Sequence, residues 1–200
     1  MASRLFSFLA GSWGSWRIAQ MTCLVGEPLP PAGRLAMVTG TPDSSPDPVA
    51  WVLRGIRSNE RYVNRQERGQ LTGAQQGLGR PASTCAALIP IRKTAAWWML
   101  TQDERRAIFE EQSHHIQVGL KHLPPVARQL HHCRDLSEQE PFDFLTWFEY
   151  APEYESAFDE MLAEMRASEE WAYVDREIDI RVVRDSYVDR EIDIRVVRDS

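Results

Sequence analysis

The stretch "SHHIQVGLKHLPPVARQLHHC", residues 113–133, decides how the second half of this chain is read. Together with "TQDERRAIFEEQ" (101–112) it shows helical spacing. Ile108, Gln112, His115 and Gly119 fall on one stripe, with Phe109, Ile116 and Leu120 beside it. Thr101 with Glu104 three residues on is a capping-box pair, and Asp103 and Glu104 suit the first turn of a helix. The spacing therefore predicts one helix over 101–120. "LPP" (123–125) stops it, and "VARQLHH" (126–132) reads as a second, short helix.

Working outward, "CAALIPIRK" (85–93) and "FDFLTWFEYA" (142–151) read as strands on either side of this helical region. "EYESAFDEMLAEMRASEEW" (153–171) is amphipathic, with Phe158, Met161, Leu162 and Met165 on one side. In "YVDREIDIRVVRDS" (173–186) Val174, Ile178, Ile180 and Val182 alternate with charged residues, as in a half-buried strand. The order β-α-β-α-β predicts a ferredoxin-like α+β unit over 85–186. The fourteen residues 173–186 recur letter for letter at 187–200. Natural repeats are longer and diverge, so the second copy reads as an artefactual tail. Before residue 85, strands are predicted at 12–25, 49–56 and 61–71. "LAMVTGTPDSSPDP" reads as a polar loop and 72–84 as a glycine-rich one.

The bulk composition narrows the function classes. A formal charge of −6 argues against general affinity for nucleic acid or an anionic membrane. No apolar run reaches the roughly 20 residues that a membrane-spanning helix needs. Cys23, Cys85 and Cys133 are odd in number and far apart, which fits free thiols in a reducing, cytoplasmic compartment. A periplasmic location stays compatible with the short apolar patch near the start. The basic residues are two lysines, Lys93 and Lys121, against twenty-one arginines, as a GC-rich genome would produce.

All five histidines (His114, His115, His122, His131 and His132) lie within nineteen residues. His115 falls at the edge of the buried helix face, with Gly119 leaving bare backbone one turn on. That position suits either a flat ligand or a satisfied core histidine. His131, His132 and Cys133 are suitable zinc donors, but adjacent ligands on one helix rarely converge on one ion. Surface or packing roles are expected for them.

Three separated motifs then add a resemblance. "IRKTAAWWML" (91–100), "SHHIQVGLKHLPPVAR" (113–128) and "DFLTWFEYAPE" (143–153) resemble the chlorite dismutase family, most closely its short, dimeric branch. The resemblance extends over most of the chain. It implies a fold of the dimeric α/β-barrel type built from two ferredoxin-like units, the first trimmed (1–84) and the second carrying haem b (85–186). It implies His115 as the proximal iron ligand and Arg128 as the distal catalytic arginine. Gln75 matches a glutamine that pairs with that arginine. Lys93, Trp97 and Trp98 match residues near the haem propionates and edge, and Tyr62 lies near a propionate. A glutamate that bonds the proximal imidazole falls at Glu170 or its neighbour Glu169. A carboxylate there would fix the imidazole tautomer and raise its basicity.

The implied activity is conversion of chlorite to chloride and dioxygen by a homodimer, with no nucleic-acid or membrane partner. Arginine stays charged at any working pH, so Arg128 would steer the anion in and retain the hypochlorite fragment. Two other readings remain. One is a coproporphyrin decarboxylase or peroxidase-like haem enzyme of the same superfamily, which Arg128 opposes and Tyr62 permits. The other is a haem-binding module without catalysis.

Overall fold

Alternation of side chains across strands organises this molecule. The computed structural model describes residues 3–41, 48–58 and 61–185. Within them run eight strands: β1 (Leu5–Gly11), β2 (Trp16–Val25), β3 (Arg34–Thr39), β4 (Trp51–Arg57), β5 (Cys85–Lys93), β6 (Ala127–His132), β7 (Phe144–Tyr150) and β8 (Val174–Arg184). They close into one barrel in the order β1-β3-β2-β8-β5-β7-β6-β4, with β4 returning to β1. Each of these pairings is antiparallel. A closed barrel leaves no strand edge exposed.

One face of every strand fills the barrel. Phe8, Trp16, Leu35, Leu53, Leu88, Trp147 and Ile180 belong to a single buried cluster drawn from strands of both halves. His131 is the contribution of β6, with its ring 5.0 Å from Phe6 and 5.1 Å from Phe8. Its Nδ1 donates to the Leu145 carbonyl at 3.0 Å, which leaves Nε2 to accept from the Gln129 amide at 2.8 Å. Burial holds this histidine neutral down to about 4. Gly55 on β4 permits the approach, because a Cβ there would meet His131 Cβ at 2.8 Å.

The other face of β5 and β7 carries Ala87, Ile89, Ile91, Phe148 and Tyr150, and helices cover it. α1 (Arg65–Ala74), α2 (Ala95–Met99), α3 (Gln102–Arg106), α4 (His115–Lys121) and α5 (Glu155–Arg166) are the helical segments, with a π-helical turn at Ala107–Gln112 and a 3-10 turn at Glu169–Tyr173. α5 buries Phe158, Met161, Leu162 and Met165, the residues its spacing marks. No helix among the described residues is long and apolar enough to cross a membrane.

The closed antiparallel barrel overturns the ferredoxin-like α+β expectation and its C-terminal βαβαβ unit. The decisive error lies in 126–132. Val126 and Leu130 are four apart, and four is an even number, so this spacing satisfies a helix stripe and a strand face alike. The segment is strand β6, paired with β7 on one side and β4 on the other. Conversely, 61–71 holds no strand. Asn64 caps α1, accepting from Glu67 N–H at 2.9 Å, while Glu67 accepts from Asn64 N–H at 2.8 Å. The apolar patch near the start holds strand β1 (Leu5–Gly11), and the first residues of the expected loop over 35–48 belong to strand β3 (Arg34–Thr39). The duplicated stretch 187–200 lies outside the described residues.

Candidate functional site

The register of three strands builds one wall of a cavity. Arg128 pairs with Phe148, Leu130 with Thr146, and His132 with Phe144; Thr146 and Phe144 pair in turn with Ile89 and Ile91. All of these side chains line the same cavity. The facing wall comes from the helices: His115, Ile116 and Gly119 of α4, and Met161, Leu162 and Met165 of α5. Tyr62, Trp97 and Phe109 close one end. The lining is mostly apolar with a few polar groups, the usual make-up of a ligand site.

His115 reaches this wall because the predicted long helix breaks. His114 takes a left-handed conformation (φ 52°), and α4 starts afresh at His115. The buried Glu110 carboxylate accepts the Ile116 N–H at 2.6 Å, supplying the missing cap. Ser113 Oγ accepts the N–H of Glu170 at 2.9 Å and so ties the 3-10 turn to this break.

Glu170 stands behind the imidazole. Its Oε2 lies 2.7 Å from His115 Nδ1, and its Oε1 accepts from Lys93 Nζ at 2.8 Å. Burial by itself would raise the acid's pKa. The charges of His115 and Lys93 and their hydrogen bonds outweigh it and hold the carboxyl at about 2. An anionic Glu170 accepts the Nδ1–H hydrogen bond, so the neutral tautomer that can bind a metal is the one whose Nε2 presents its lone pair. Among the described residues Nε2 makes no hydrogen bond. Glu169 is exposed, so of the two candidates Glu170 is the one at the imidazole. The ring of Phe109 stacks on His115 at 4.2 Å.

Arg128 occupies the opposite wall. A Cβ on Gly119 would lie 3.9 Å from one of its Nη atoms, an ordinary contact, so the guanidinium reaches across the cavity to α4. Burial pushes its pKa down, and no carboxylate pairs with it among the described residues. Arginine remains charged under such a shift. The arrangement is a partly buried cation facing a ligand-type imidazole, which suits an anion held beside a metal.

The remaining expected residues divide. Trp97 and Tyr62 line the cavity, packed edge to face at 6.2 Å. Gln75 donates to the Arg128 main-chain carbonyl at 2.7 Å rather than to the guanidinium, and it belongs to a neighbouring cavity. Lys93 lies behind the wall, bound to Glu170 and over the Trp97 ring at 4.7 Å. Trp98 also lies off the wall. Its Nε1 donates to Asp143 at 3.2 Å, and Arg105 and Arg134 lie within 5.0 Å of its ring.

Sequence reasoning overlooked Glu110, Ser113 and Trp171. Trp171 lines the cavity and donates to Glu177 at 2.8 Å. The pattern "SEEW" held the signal for it, an aromatic one place beyond the glutamate. No cluster of three or more metal-ligating side chains occurs among the described residues, so His131, His132 and Cys133 do not converge.

Comparison with known proteins agrees with this geometry. The sequence profile of chlorite dismutase matches residues 49–185, more than half of the chain. A chlorite dismutase of Ideonella dechloratans is 31% identical over 99 residues, which cover 48% of this chain and 33% of that relative. The matched segment thus spans about a third of the relative's length. The solved structure of dimeric chlorite dismutase from Nitrobacter winogradskyi is 54% identical, with a TM-score of 0.82, over 90% of this chain and 99% of that one. A chlorite dismutase variant from Candidatus Nitrospira defluvii is only 16% identical, with a TM-score of 0.61 over 97% and 96% of the two chains, and shares the fold. On its sequence profile and its nearly full-length likeness to the Nitrobacter protein, this chain belongs to the chlorite dismutase family.

Proposed function

We propose that this protein is a haem b enzyme that converts chlorite to chloride and dioxygen, acting as a homodimer. The observation that carries the reading is an apolar cavity with a Glu170-backed His115 on one wall and, on the other, an Arg128 that has no carboxylate partner among the described residues. The residues fit haem. The cavity is lined mostly by apolar side chains, as a flat macrocycle needs, and one imidazole nitrogen has no hydrogen-bond partner among the described residues and is placed to bind iron. His115 would hold the iron through Nε2, with Glu170 fixing the tautomer and Lys93 fixing Glu170. Haem, when bound, supplies the redox chemistry that breaks the Cl–O bond and allows the O–O bond to form.

The chain's own groups do the rest. Arg128 draws a small anion into a low-dielectric pocket, where its charge acts with little screening. The same charge retains an anionic fragment until the second step. Leu130, Thr146 and Phe148 surround this space and limit water. Gln75 fixes the main chain of β6 at Arg128, so the guanidinium starts from a fixed base. The dimeric state of the Nitrobacter relative, at 54% identity, supports the same assembly here.

His115→Ala tests the ligand. The variant is expected to lose the five-coordinate ferric spectrum that the wild-type protein shows once loaded with haem. A normal spectrum in the variant would remove His115 from the site.

A further inference from the structure

The corner that leads into β6 cannot brace itself. Pro124 and Pro125 have no N–H to donate, while their carbonyls still need donors. Arg128 stands only three residues further on. The donors come from the loop after α1. Arg80 sends Nη1 to the Pro124 carbonyl at 3.2 Å and Nη2 to the Pro125 carbonyl at 2.5 Å. Nη2 also reaches the Glu149 carbonyl at 3.4 Å, and Nη1 bonds the Gln76 side-chain oxygen at 2.9 Å. Three of these four bonds end on main chain, so this guanidinium fixes backbone shape.

The same loop is fastened at two further points. Gln75 donates to the Arg128 carbonyl at 2.7 Å. Gly79, in a left-handed conformation (φ 80°), donates its N–H to the buried Glu149 carboxylate at 2.6 Å. Glu149 is held in turn by Trp147 Nε1 at 2.9 Å. The register gathers these anchors around one residue, because Ala127 pairs with Glu149 and Arg128 with Phe148. Residues 75–80 thus grip the main chain before Arg128, at Arg128 and on the neighbouring strand.

We propose that Arg80 is a positioning residue for the anion site: it braces the start of β6 and so sets where the Arg128 guanidinium stands over the cavity. No carboxylate steadies Arg128 among the described residues, so its place is set by its backbone. The brace needs a planar fork, which spans carbonyls on 124, 125 and 149 together. An ammonium on a flexible stem is a point charge and does not. Lysine at position 80 therefore keeps the charge and loses the brace. This inference rests on the anion role given to Arg128 above.

The test titrates fluoride, a small anion that accepts hydrogen bonds, into haem-loaded ferric protein and reads its affinity from the absorption spectrum. Wild type is compared with Arg80→Ala, Arg80→Lys, Arg128→Ala and the Arg80→Ala, Arg128→Ala double variant. Arg80→Ala is expected to weaken fluoride binding about tenfold, the worth of one hydrogen bond to a charged group. Arg80→Lys should weaken it as much. In the Arg128→Ala background the loss of Arg80 should change nothing further, because no guanidinium remains to be placed. The spectrum before fluoride should match wild type, since His115 and Glu170 belong to the other wall. If the alanine variant does not fold, Arg80→Gln, which keeps one amide donor, takes its place in each comparison. Full recovery by lysine would assign the effect to charge at a distance. Additive losses in the double variant would assign it to general loosening of the fold. Either result, or an affinity that Arg80→Ala leaves unchanged, would overturn the proposal while the haem reading stands. A wild-type protein that takes up no haem would overturn both.

Discussion

At the residue scale the site is a chain of paired charges that ends in one unpaired charge. His115, Glu170 and Lys93 satisfy one another in a dry interior, and Arg128 faces them without a partner among the described residues. Removing one member of a buried pair leaves the other charge stranded. Lys93→Met is therefore expected to cost about 3 kcal/mol of stability in the cofactor-free protein, read from denaturant unfolding. A loss below about 1 kcal/mol, the level of a surface pair, would show that Glu170 does not depend on Lys93. His115 and Arg128 are picked out in the sequence only by the family resemblance, and that resemblance leaves Glu169 and Glu170 as equal candidates until the fold buries one of them. The partners of Gln75 and Lys93 are not legible there at all. Gln75 bonds a main-chain carbonyl, and every residue has one, so no letter announces it. Lys93 resembles an edge residue until the fold shows that it sits behind the wall.

At the element scale, β6 matters most. Its alternation sends Arg128, Leu130 and His132 to the cavity and His131 into the barrel. One strand thus supplies both a core histidine and a cavity histidine, which accounts for two of the five clustered histidines. A segment of six residues between a proline corner and Cys133 is too short for its period to be read, and only pairing with β4 and β7 decides it. The predicted helix over 101–120 fails for a related reason. Its stripe is continuous in sequence, but a π-helical turn and a left-handed His114 reset the phase before His115. Glu110 stabilises that reset by capping α4. Glu110→Ala is expected to lower stability by about 1–2 kcal/mol through the lost cap. It should also broaden the ferric haem spectrum, because His115 then starts from a frayed turn. Unchanged stability and an unchanged spectrum would show that the break holds itself.

At the scale of the whole molecule, barrel closure buries groups that prefer water, and this sets a pH dependence. His131 and His132 stay neutral down to about 4, whereas in an unfolded chain they bind protons near 6.5. Between those values the unfolded state holds more protons, so this stability is full above pH 6.5 and falls as the pH drops towards 4. The loss is on the order of 3 kcal/mol for each histidine. Glu170 acts lower: its folded value of about 2 lies under the ordinary 4.5, so its contribution is present above pH 4.5 and fades as the pH falls towards 2. The denaturation midpoint should therefore fall steadily from pH 6.5 to 4, less steeply in His131→Gln, and a flat midpoint would contradict the burial of both rings. Dioxygen release reads the proposed catalysis at its product. Haem-loaded wild-type protein and haem-loaded Arg128→Ala are each given chlorite in an oxygen-electrode cell. Rapid dioxygen evolution is expected from the wild type, with a fall of about 100-fold or more in the variant, the scale of losing one preorganised charge. No oxygen from wild-type protein with a sound haem spectrum, or equal rates from the two proteins, would contradict it.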